Sequence, residues 1–321
     1  MKTSKIALID MGTNTFHLLI VECYGKAHKP PFKVLFKEKI GVKIGADGGI
    51  NAGFISEAAI QRAVDTLVYF KSKITEYGVD IENVKAMATS AVRNAKNGSD
   101  LTQKIKELTQ ISVETISGDQ EATLIYKGVC LAMNLGKIPN LIVDIGGGSV
   151  EFIIGDSNEI YWKKSLELGG QRLMDKFMSS DPISYQATMD LHNYLHEQLQ
   201  PLQDAIAQFN PKVMVGVSGT FDTLSEIYLR KTGNFESQQD IEAQSEYALP
   251  TEFVLQQAKD FIAQNRAQRM AIAGMIPLRV DMIVVATCLI RYVLQISDIQ
   301  KIRVSTYSLK EGILSDFLER I

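Results

Sequence analysis

The stretch IALIDMGTNTFHLLIV at residues 6–21 recurs in altered form as NLIVDIGGGSVEFIIG at residues 140–155. Each copy consists of an apolar run, an aspartate, a turn of small residues and a second apolar run. Short, β-branched and almost continuously apolar runs are typical of strands buried on both faces, so each copy predicts a buried β-hairpin. The gapless alignment pairs Asp10 with Asp144, Gly12 with Gly146, Thr15 with Ser149, and His17 with Glu151.

The repeated hairpin predicts two related domains that face each other across a cleft, where ligands commonly bind. Helical and strand-like patterns alternate over the rest of the chain, which is typical of an α/β fold. We place the domain boundary near residues 128–140, with a first domain at 1–127 and a second at 128–321. The terminal helix, about 308–320, could pack back on the first domain.

Capping residues and apolar periodicity predict individual elements of this fold. Ser56 is expected to cap a helix that reaches Tyr77, and Ser99 to cap another. Residues 117–120 have the S-x-x-Q form of a capping box at the start of a further helix. Residues 231–249 are polar and aperiodic, which predicts a surface excursion.

The composition is that of an ordinary soluble globular protein, with 45% hydrophobic and 22% charged residues among 321. A net charge of −3 argues against a general nucleic-acid binder, which needs a broad basic surface. The three cysteines include no C-x-x-C pair, so neither a disulfide framework nor a zinc site is supported. The apolar run after Lys5 is too short for a signal peptide or a membrane span, and we expect a cytoplasmic protein.

Two of the turns are candidate phosphate cradles, because backbone N–H groups in such turns bind phosphoryl oxygens. Three consecutive glycines cost backbone entropy, so we interpret them as allowing close approach of a ligand. A plain hairpin turn is the alternative for the first turn. The first cradle consists of Gly12, Thr13, Asn14 and Thr15, and the second of Gly146, Gly147, Gly148 and Ser149.

A third glycine-containing turn includes Gly219 and Thr220 and lies between a predicted strand and a predicted helix. A helix N-terminus of this kind favours anions. It is also a common strand-to-helix connection, so the pattern alone leaves both interpretations open.

An acid precedes each cradle, and a third carboxylate follows the second cradle. Asp10, Asp144 and Glu151 are hard oxygen ligands suited to Mg²⁺, which binds through one or two carboxylates, waters and substrate phosphates. The pattern therefore predicts a magnesium ion beside bound phosphates. The alternative for Glu151 is a hairpin residue on the solvent side of its strand.

Two further side chains are suited to phosphate chemistry. Arg93 follows a predicted strand and can grip phosphate with its planar guanidinium, although a solvated loop arginine fits the pattern equally well. Glu121 lies in the first turn of its predicted helix, where it could activate a water for in-line attack on a terminal phosphoryl group. The alternative is an acid that only offsets the helix dipole.

A set of motifs occurs in a fixed order over nearly the whole chain. The segments are IDMGTNTFHLLI, ATSAVRNA, ISGDQEA, IVDIGGGSVEF, LELGGQRL and GVSGTFDTL, followed by RVDMI and VSTYSLKEGIL. They resemble those of the exopolyphosphatase and guanosine pentaphosphate phosphohydrolase family, within the actin, Hsp70 and sugar kinase superfamily. The resemblance implies two actin-like, ribonuclease H-like domains, as in the short members without an appended HD-type helical domain.

By that resemblance Glu121 is the catalytic base, and Asp144 and Glu151 help to hold Mg²⁺. The two cradles and Arg93 bind phosphate. The implied substrate is inorganic polyphosphate or guanosine pentaphosphate, from which the terminal or the 5′ phosphate is removed. A homodimer is compatible with the resemblance, but no residue pattern fixes one.

The chain departs from the family pattern at several positions. His17 and Lys310 stand where many members carry arginine, and Ser218 stands where glycine is common. Lysine cannot make the bidentate fork of arginine. Substrate preference is therefore less firmly implied than reaction type.

Three alternatives to an exopolyphosphatase follow from the same motifs. They are a guanosine pentaphosphate phosphohydrolase, a non-catalytic sensor of guanosine polyphosphates, and an ATP-dependent kinase of the same superfamily. The presence of Glu121 together with the acids beside the turns argues against a sensor. The ISGDQEA segment favours hydrolysis over phosphoryl transfer to an acceptor.

Overall fold

The computed structural model describes residues 4–24, 30–46, 49–233 and 244–319. It divides into two compact units. The first unit extends to Gly128 and includes the C-terminal residues from Leu309, and the second is Val129–Ser308.

The first unit is built around a sheet whose described strands are β1 (Ser4–Met11), β2 (Thr15–Cys23), β3 (Phe32–Gly41), β4 (Val84–Ala88) and β5 (Val113–Thr115). Its described helices are α1 (Gly49–Ala52), α2 (Glu57–Glu76), α3 (Ser90–Asn94), α4 (Gly98–Thr109), the first part of α5 (Gly118–Ala132), and the C-terminal helix α13 (Leu309–Leu318). A short 3₁₀ turn, Ile81–Asn83, precedes β4.

The sheet of the first unit has the order β3-β2-β1-β4-β5. Strands β1 and β2 form the first predicted hairpin, with Asp10 directly opposite His17. Strand β4 pairs with β1 in parallel, and β5 pairs with β4 in parallel. Residues 6–9 are fully buried, as expected for a strand covered on both faces.

The second unit has its own sheet, whose described strands are β6 (Asn140–Ile145), β7 (Val150–Gly155), β8 (Ile160–Leu166), β9 (Val213–Val217), β10 (Glu246–Leu249) and β11 (Lys301–Ser305). Its described helices are α6 (Gly170–Phe177), α7 (Tyr185–Gln198), α8 (Gln200–Phe209), α9 (Ser218–Thr232), α10 (Thr251–Ala263), α11 (Arg266–Met270) and α12 (Ile283–Gln295).

The second sheet repeats the topology of the first and adds one edge strand. Its order is β10-β11-β9-β6-β7-β8, so β6, β7, β8, β9 and β11 correspond to β1 through β5. The hairpin β6–β7 is the second predicted one, with Asp144 directly opposite Glu151. Two α/β units with the same strand order around a duplicated hairpin are the actin-like fold that the sequence predicted.

Two of the predicted helix starts are confirmed. The Ser56 hydroxyl accepts the Ala59 N–H at 3.2 Å at the start of α2. At the start of α5, the Gln120 side chain accepts the Ser117 N–H at 2.9 Å, and the Ser117 hydroxyl accepts the Gln120 N–H at 3.2 Å. These reciprocal bonds are the predicted capping box.

Ser99 does not cap α4, which begins one residue earlier at Gly98. The Asn97 side chain bonds the backbone of Ile55 in both directions at 2.9 Å, and a Cβ on Gly98 would overlap the Val92 carbonyl. A close backbone approach therefore sets this helix start, and the cap preference of a serine does not.

The surface excursion predicted at 231–249 is wrong at its end, because Glu246–Leu249 forms the edge strand β10. The sequence did not predict this strand because only its alternate residues are buried, so it has no continuous apolar run. Residues 234–243 lie outside the described part of the chain. Within that part, none of the helices is both long enough and apolar enough to span a membrane.

An ion pair joins the two strands at this edge. Arg303 donates from Nε to Glu246 Oε1 at 2.6 Å and from Nη2 to Glu246 Oε2 at 2.8 Å. These hydrogen bonds hold the pKa of Glu246 below its ordinary value of 4.5. A pKa lowered in the folded state means that the pair stabilises the fold above that value, and that this contribution is lost as the pH falls.

We expect Glu246→Gln to lower the free energy of unfolding at neutral pH by at most about 1 kcal/mol, because both partners reach solvent and screening weakens the pair. The difference from wild type should disappear as the pH falls below 4.5 through the folded-state pKa. Unfolding of both proteins across the acid range measures this. A difference that persists unchanged at low pH would contradict the assignment.

Candidate active site

Both candidate cradles are closed by the same backbone hydrogen bond. The Gly12 N–H bonds the Thr15 carbonyl at 3.1 Å, and the Gly146 N–H bonds the Ser149 carbonyl at 3.0 Å. The sequence repeat is therefore also a structural repeat at the level of single turn hydrogen bonds.

The carbonyl groups of both turns accept hydrogen bonds from backbone N–H groups. The donors lie just after β3 in the first unit and just after β8 in the second. In the described part of the structure, the N–H groups of Thr13, Gly147 and Gly148 donate no hydrogen bond to a backbone carbonyl. Amides in this position are suited to oxyanions. The carbonyl bonds are Gly45 N–H to Thr13 at 3.2 Å, Lys43 N–H to Asn14 at 3.0 Å, Gln171 N–H to Gly147 at 2.9 Å, and Gly169 N–H to Gly148 at 3.1 Å.

The hydroxyl of Thr15 adds a further donor to the first turn. Its oxygen is buried without a hydrogen-bond partner among the described residues. Buried polar atoms are nearly always bonded. An unsatisfied hydroxyl beside open amides therefore points to a ligand in this turn.

In the first unit, three segments leave the carboxyl ends of adjacent parallel strands. Gly12 follows β1, Thr89 follows β4 and Ile116 follows β5. The Thr89 N–H bonds the Met11 carbonyl at 3.3 Å, and the Ile116 N–H bonds the Ala88 carbonyl at 3.1 Å. Ligand-binding residues of open α/β sheets collect at such an edge.

Arg93 and Glu121 meet at this edge. The Arg93 Nη1 donates to Glu121 Oε2 at 2.9 Å and to the Ile116 carbonyl at 3.1 Å. Glu121 is only 7% exposed, and the Arg93 side chain is largely buried. Arg93 is thus not a solvated loop arginine. Glu121 makes a buried ion pair in addition to lying at the start of α5.

The helix α13 packs against α5 beside this pair. A Cβ on Gly312 would overlap the Leu124 carbonyl, and Lys127 forms an ion pair with Asp316 further along both helices. Lys310, one of the departures from the family pattern, is buried at the start of α13. The glycine in this segment therefore serves close helix packing.

In the second unit, Asp144 and Glu151 lie directly opposite each other on neighbouring strands. They are 6% and 1% exposed, so the interpretation of Glu151 as a solvent-side residue is wrong. The Ser165 hydroxyl donates to Glu151 Oε1 at 2.7 Å. Asp144 Oδ2 accepts from the hydroxyls of Ser218 at 2.8 Å and Ser308 at 3.2 Å.

This carboxylate pair fits a magnesium site. Two buried carboxylates facing each other on one side of a sheet repel each other; Arg279 offsets part of the charge at Asp144, and the pair of oxygen ligands suits a divalent cation. No group of three or more His, Cys, Asp or Glu residues suited to a metal occurs in the described residues, but Mg²⁺ needs only one or two carboxylates with water and phosphate. Asp10, the third predicted ligand, lies in the first unit opposite His17.

The third turn lies after β9 at the start of α9. Ser218 adopts φ = 67°, a left-handed conformation that glycine adopts with less strain. Gly219 and Thr220 form the first turn of the helix and are buried. Serine adopts this conformation with more strain than glycine would, but its hydroxyl donates a hydrogen bond to Asp144.

Arg279 is a buried charged residue beside the third turn that the sequence patterns did not single out. It is 9% exposed, and its guanidinium lies against Gly219 where a Cβ would stand. Burial lowers the pKa of this guanidinium, and the charges of Asp222 and Asp144 oppose the shift. Its Nε is buried without a hydrogen-bond partner in the described part of the chain.

A buried arginine at a helix N-terminus places two positive potentials together. Asp222 and Asp144 offset part of this positive charge, and a helix N-terminus beside an arginine is suited to a bound anion as well. In the sequence, Arg279 is marked only by the RVDMI segment, which begins at this residue and is one of the segments shared with the family.

Residues 20–321 match the Ppx/GppA phosphatase family. This chain belongs to the Ppx/GppA family. A bifunctional 3-dehydroquinate synthase/phosphatase from Fusobacterium nucleatum is 30% identical over 90% of this chain, which spans 43% of that relative's length. Exopolyphosphatase 2 from Mycobacterium tuberculosis is 28% identical over 98% of both proteins.

A solved structure extends the likeness of this Ppx/GppA chain to the whole fold. The exopolyphosphatase from Cytophaga hutchinsonii is 45% identical, covers 99% of both chains and superposes with a TM-score of 0.93. The resemblance stated from motifs is therefore confirmed over the full length of the sequence.

The glycines of the LELGGQRL segment in this Ppx/GppA chain differ in the space around them. A Cβ on Gly169 would overlap the backbone of Gly147 and Gly148, whereas one on Gly170 would meet Met282 at an ordinary 3.4 Å.

We expect Gly169→Ala to lower the free energy of unfolding by about 1–3 kcal/mol through overpacking. Thermal unfolding of both variants measures this, and equal losses for Gly169→Ala and the control Gly170→Ala would contradict the close packing behind the turn.

Proposed function

We propose that this chain is an exopolyphosphatase that releases terminal phosphate from inorganic polyphosphate by magnesium-assisted attack of water. Hydrolysis of a phosphoanhydride bond is the reaction class indicated by the family and by the exopolyphosphatase relatives. The observation that carries the proposal is the buried Arg93–Glu121 pair, placed at the same sheet edge as the open amides of the first cradle.

Glu121 is suited to the role of general base. Arg93 fixes the orientation of its carboxylate through a charge-assisted hydrogen bond. The N-terminus of α5 adds positive potential beside it. A carboxylate held in this way can accept a proton from a water that attacks a phosphoryl group in line.

Arg93 also supports binding of the substrate. A guanidinium carries five N–H donors; the Nη1 of Arg93 holds Glu121 and the Ile116 carbonyl, and we propose that the same group donates to a phosphoryl oxygen of the substrate. The amides of the first cradle add preorganised donors, which stabilise charge as it develops on the transferred group. The same arginine would link the base to the substrate.

The second unit carries groups suited to a metal and to phosphates. Asp144 and Glu151 would hold Mg²⁺, which neutralises charge on bound phosphoryl oxygens. Gly147 and Gly148 offer amides, and Arg279 offers a cation beside the start of α9. Together these groups give the local positive potential that a polyanion needs on a protein of negative net charge.

Replacement of Glu121 tests the base. We expect Glu121→Gln to reduce phosphate release from polyphosphate by about 10²–10⁴-fold, because an amide of the same shape can still accept a hydrogen bond from Arg93 but cannot take a proton. Affinity for polyphosphate should stay close to that of wild type. Phosphate release and equilibrium binding measure the two quantities.

Glu114→Gln is the matched control, since Glu114 is an exposed residue of β5 in the same unit and loses the same charge. It should release phosphate at the wild-type rate. Undiminished release by Glu121→Gln would refute the assignment of the base.

Replacement of Glu151 tests the metal site. We expect Glu151→Gln to raise the Mg²⁺ concentration needed for half-maximal phosphate release by at least about tenfold, the scale on which groups around a metal affect its affinity. Glu159→Gln, which removes an exposed acid from the same unit, should leave the requirement unchanged. Full activity of wild type in excess chelator would contradict a role for the ion.

Guanosine pentaphosphate is the second substrate to compare, because it ends in the same kind of phosphoanhydride chain. The ratio of phosphate released from it and from polyphosphate under one set of conditions decides between the two activities. Binding of either without release would favour a sensor.

A further inference from the structure

A single arginine joins three separate segments in the second unit. Arg269 is only 1% exposed. Its Nε donates to the Val280 carbonyl at 2.9 Å, and its Nη1 donates to Asp181 Oδ1 at 2.8 Å and to the Gln264 carbonyl at 2.5 Å. We call this group, with Asp181 as its charge partner, the Arg269 clamp.

The clamp is doubled by a neighbouring contact. Asp181 Oδ2 accepts the Arg266 N–H at 2.6 Å, and Arg266 Nε donates to Asp281 Oδ1 at 3.1 Å. The backbone at Val280 and the side chain of Asp281 are therefore tied to the same short helix, α11. Asp181 receives bonds from both of its arginine partners.

The segment held by the clamp reaches both candidate turns of the second unit. At one end, Arg279 lies against Gly219. At the other, the Cβ of Met282 lies where it would contact a Cβ on Gly170 at 3.4 Å, and the Gly170 N–H bonds the Gly146 carbonyl at 2.8 Å. The backbone bond from Arg269 falls between these two points.

The backbone hydrogen bonds of Arg279 stay within its own turn, from its N–H to the Ile276 carbonyl at 3.0 Å and from the Ile283 N–H to its carbonyl at 2.9 Å. The Arg279 Nε is buried without a partner in the described residues, and its segment belongs to neither a strand nor a long helix. A binding side chain of this kind depends on the groups that support its backbone. Burying a second arginine behind it is costly unless all its partners are in place.

We propose that Arg269 and Asp181 are positioning residues that hold Arg279 for binding of a phosphoryl group. This inference rests on the proposed function, in which Arg279 faces an anion. Neither Arg269 nor Asp181 needs to touch the substrate, because the clamp acts through the Val280 carbonyl on the preceding residue.

The test uses the whole chain, inorganic tripolyphosphate as the probe, and Asp181→Asn as the variant. Mutations that act through a supporting network change affinity by a few-fold to about thirtyfold, and we expect Asp181→Asn to weaken tripolyphosphate binding about threefold to tenfold. In an Arg279→Gln background the same change should cause no further loss. Arg269→Lys, which keeps the charge but loses the fork, should behave in the same way.

Glu246→Gln is the matched control. It also removes the carboxylate partner of an arginine in the second unit, and the Glu246 side chain is 38% exposed against 36% for Asp181. It should leave tripolyphosphate affinity unchanged in both backgrounds. An equal loss from Asp181→Asn with and without Arg279, or no loss in either, would overturn the proposal.

A second readout needs no ligand. The NMR signal of the Arg279 Nε–H, assigned by its loss in Arg279→Gln, should shift or broaden in Asp181→Asn and stay in place in Glu246→Gln. A wild-type protein that does not bind tripolyphosphate would contradict the proposed function alone. An unchanged Nε–H signal in Asp181→Asn would refute the clamp whatever the ligand does.

Discussion

The hydrogen bonds behind the two cradle turns are the constraint on which the candidate site depends. A turn can offer its N–H groups to a phosphate only if its carbonyls find other partners, since both are strong and obligatory bonding groups. In each unit the chain beyond the third strand supplies those partners. Gly169 is needed because the supporting backbone approaches the turn more closely than a Cβ allows.

Buried charge is the second feature that sets this protein apart from an ordinary α/β fold. Glu121, Asp144, Glu151 and Arg279 are all under a tenth exposed, and burying them lowers stability unless each is compensated. Proteins break the rules of stable packing mainly at functional positions. The Arg269 clamp follows the same principle. Burial of Arg269 lowers stability, and in our proposal its role is to position Arg279.

The sequence predicted the parts of the fold that local patterns determine. The duplicated hairpins, the capping box at Ser117 and the cap at Ser56 depend on neighbours in the chain, and the structure confirms them. The start of α4 and the strand β10 were predicted wrongly, because a distant backbone contact and an edge position decided them. Arg279 was missed as a separate candidate because the RVDMI segment that contains it has no glycine turn or capping pattern to mark a buried arginine.

The sequence by itself determined the two-unit α/β fold and the residue types available for phosphate chemistry, because hydrophobic runs, glycine turns and caps act over a few residues. Only the tertiary structure decided which of these residues are buried, which are paired and which support others. Arg93 meets Glu121, Ser308 meets Asp144 and Arg269 meets Asp181 across long stretches of chain. Such pairings arise from packing of whole elements, and no local pattern specifies them.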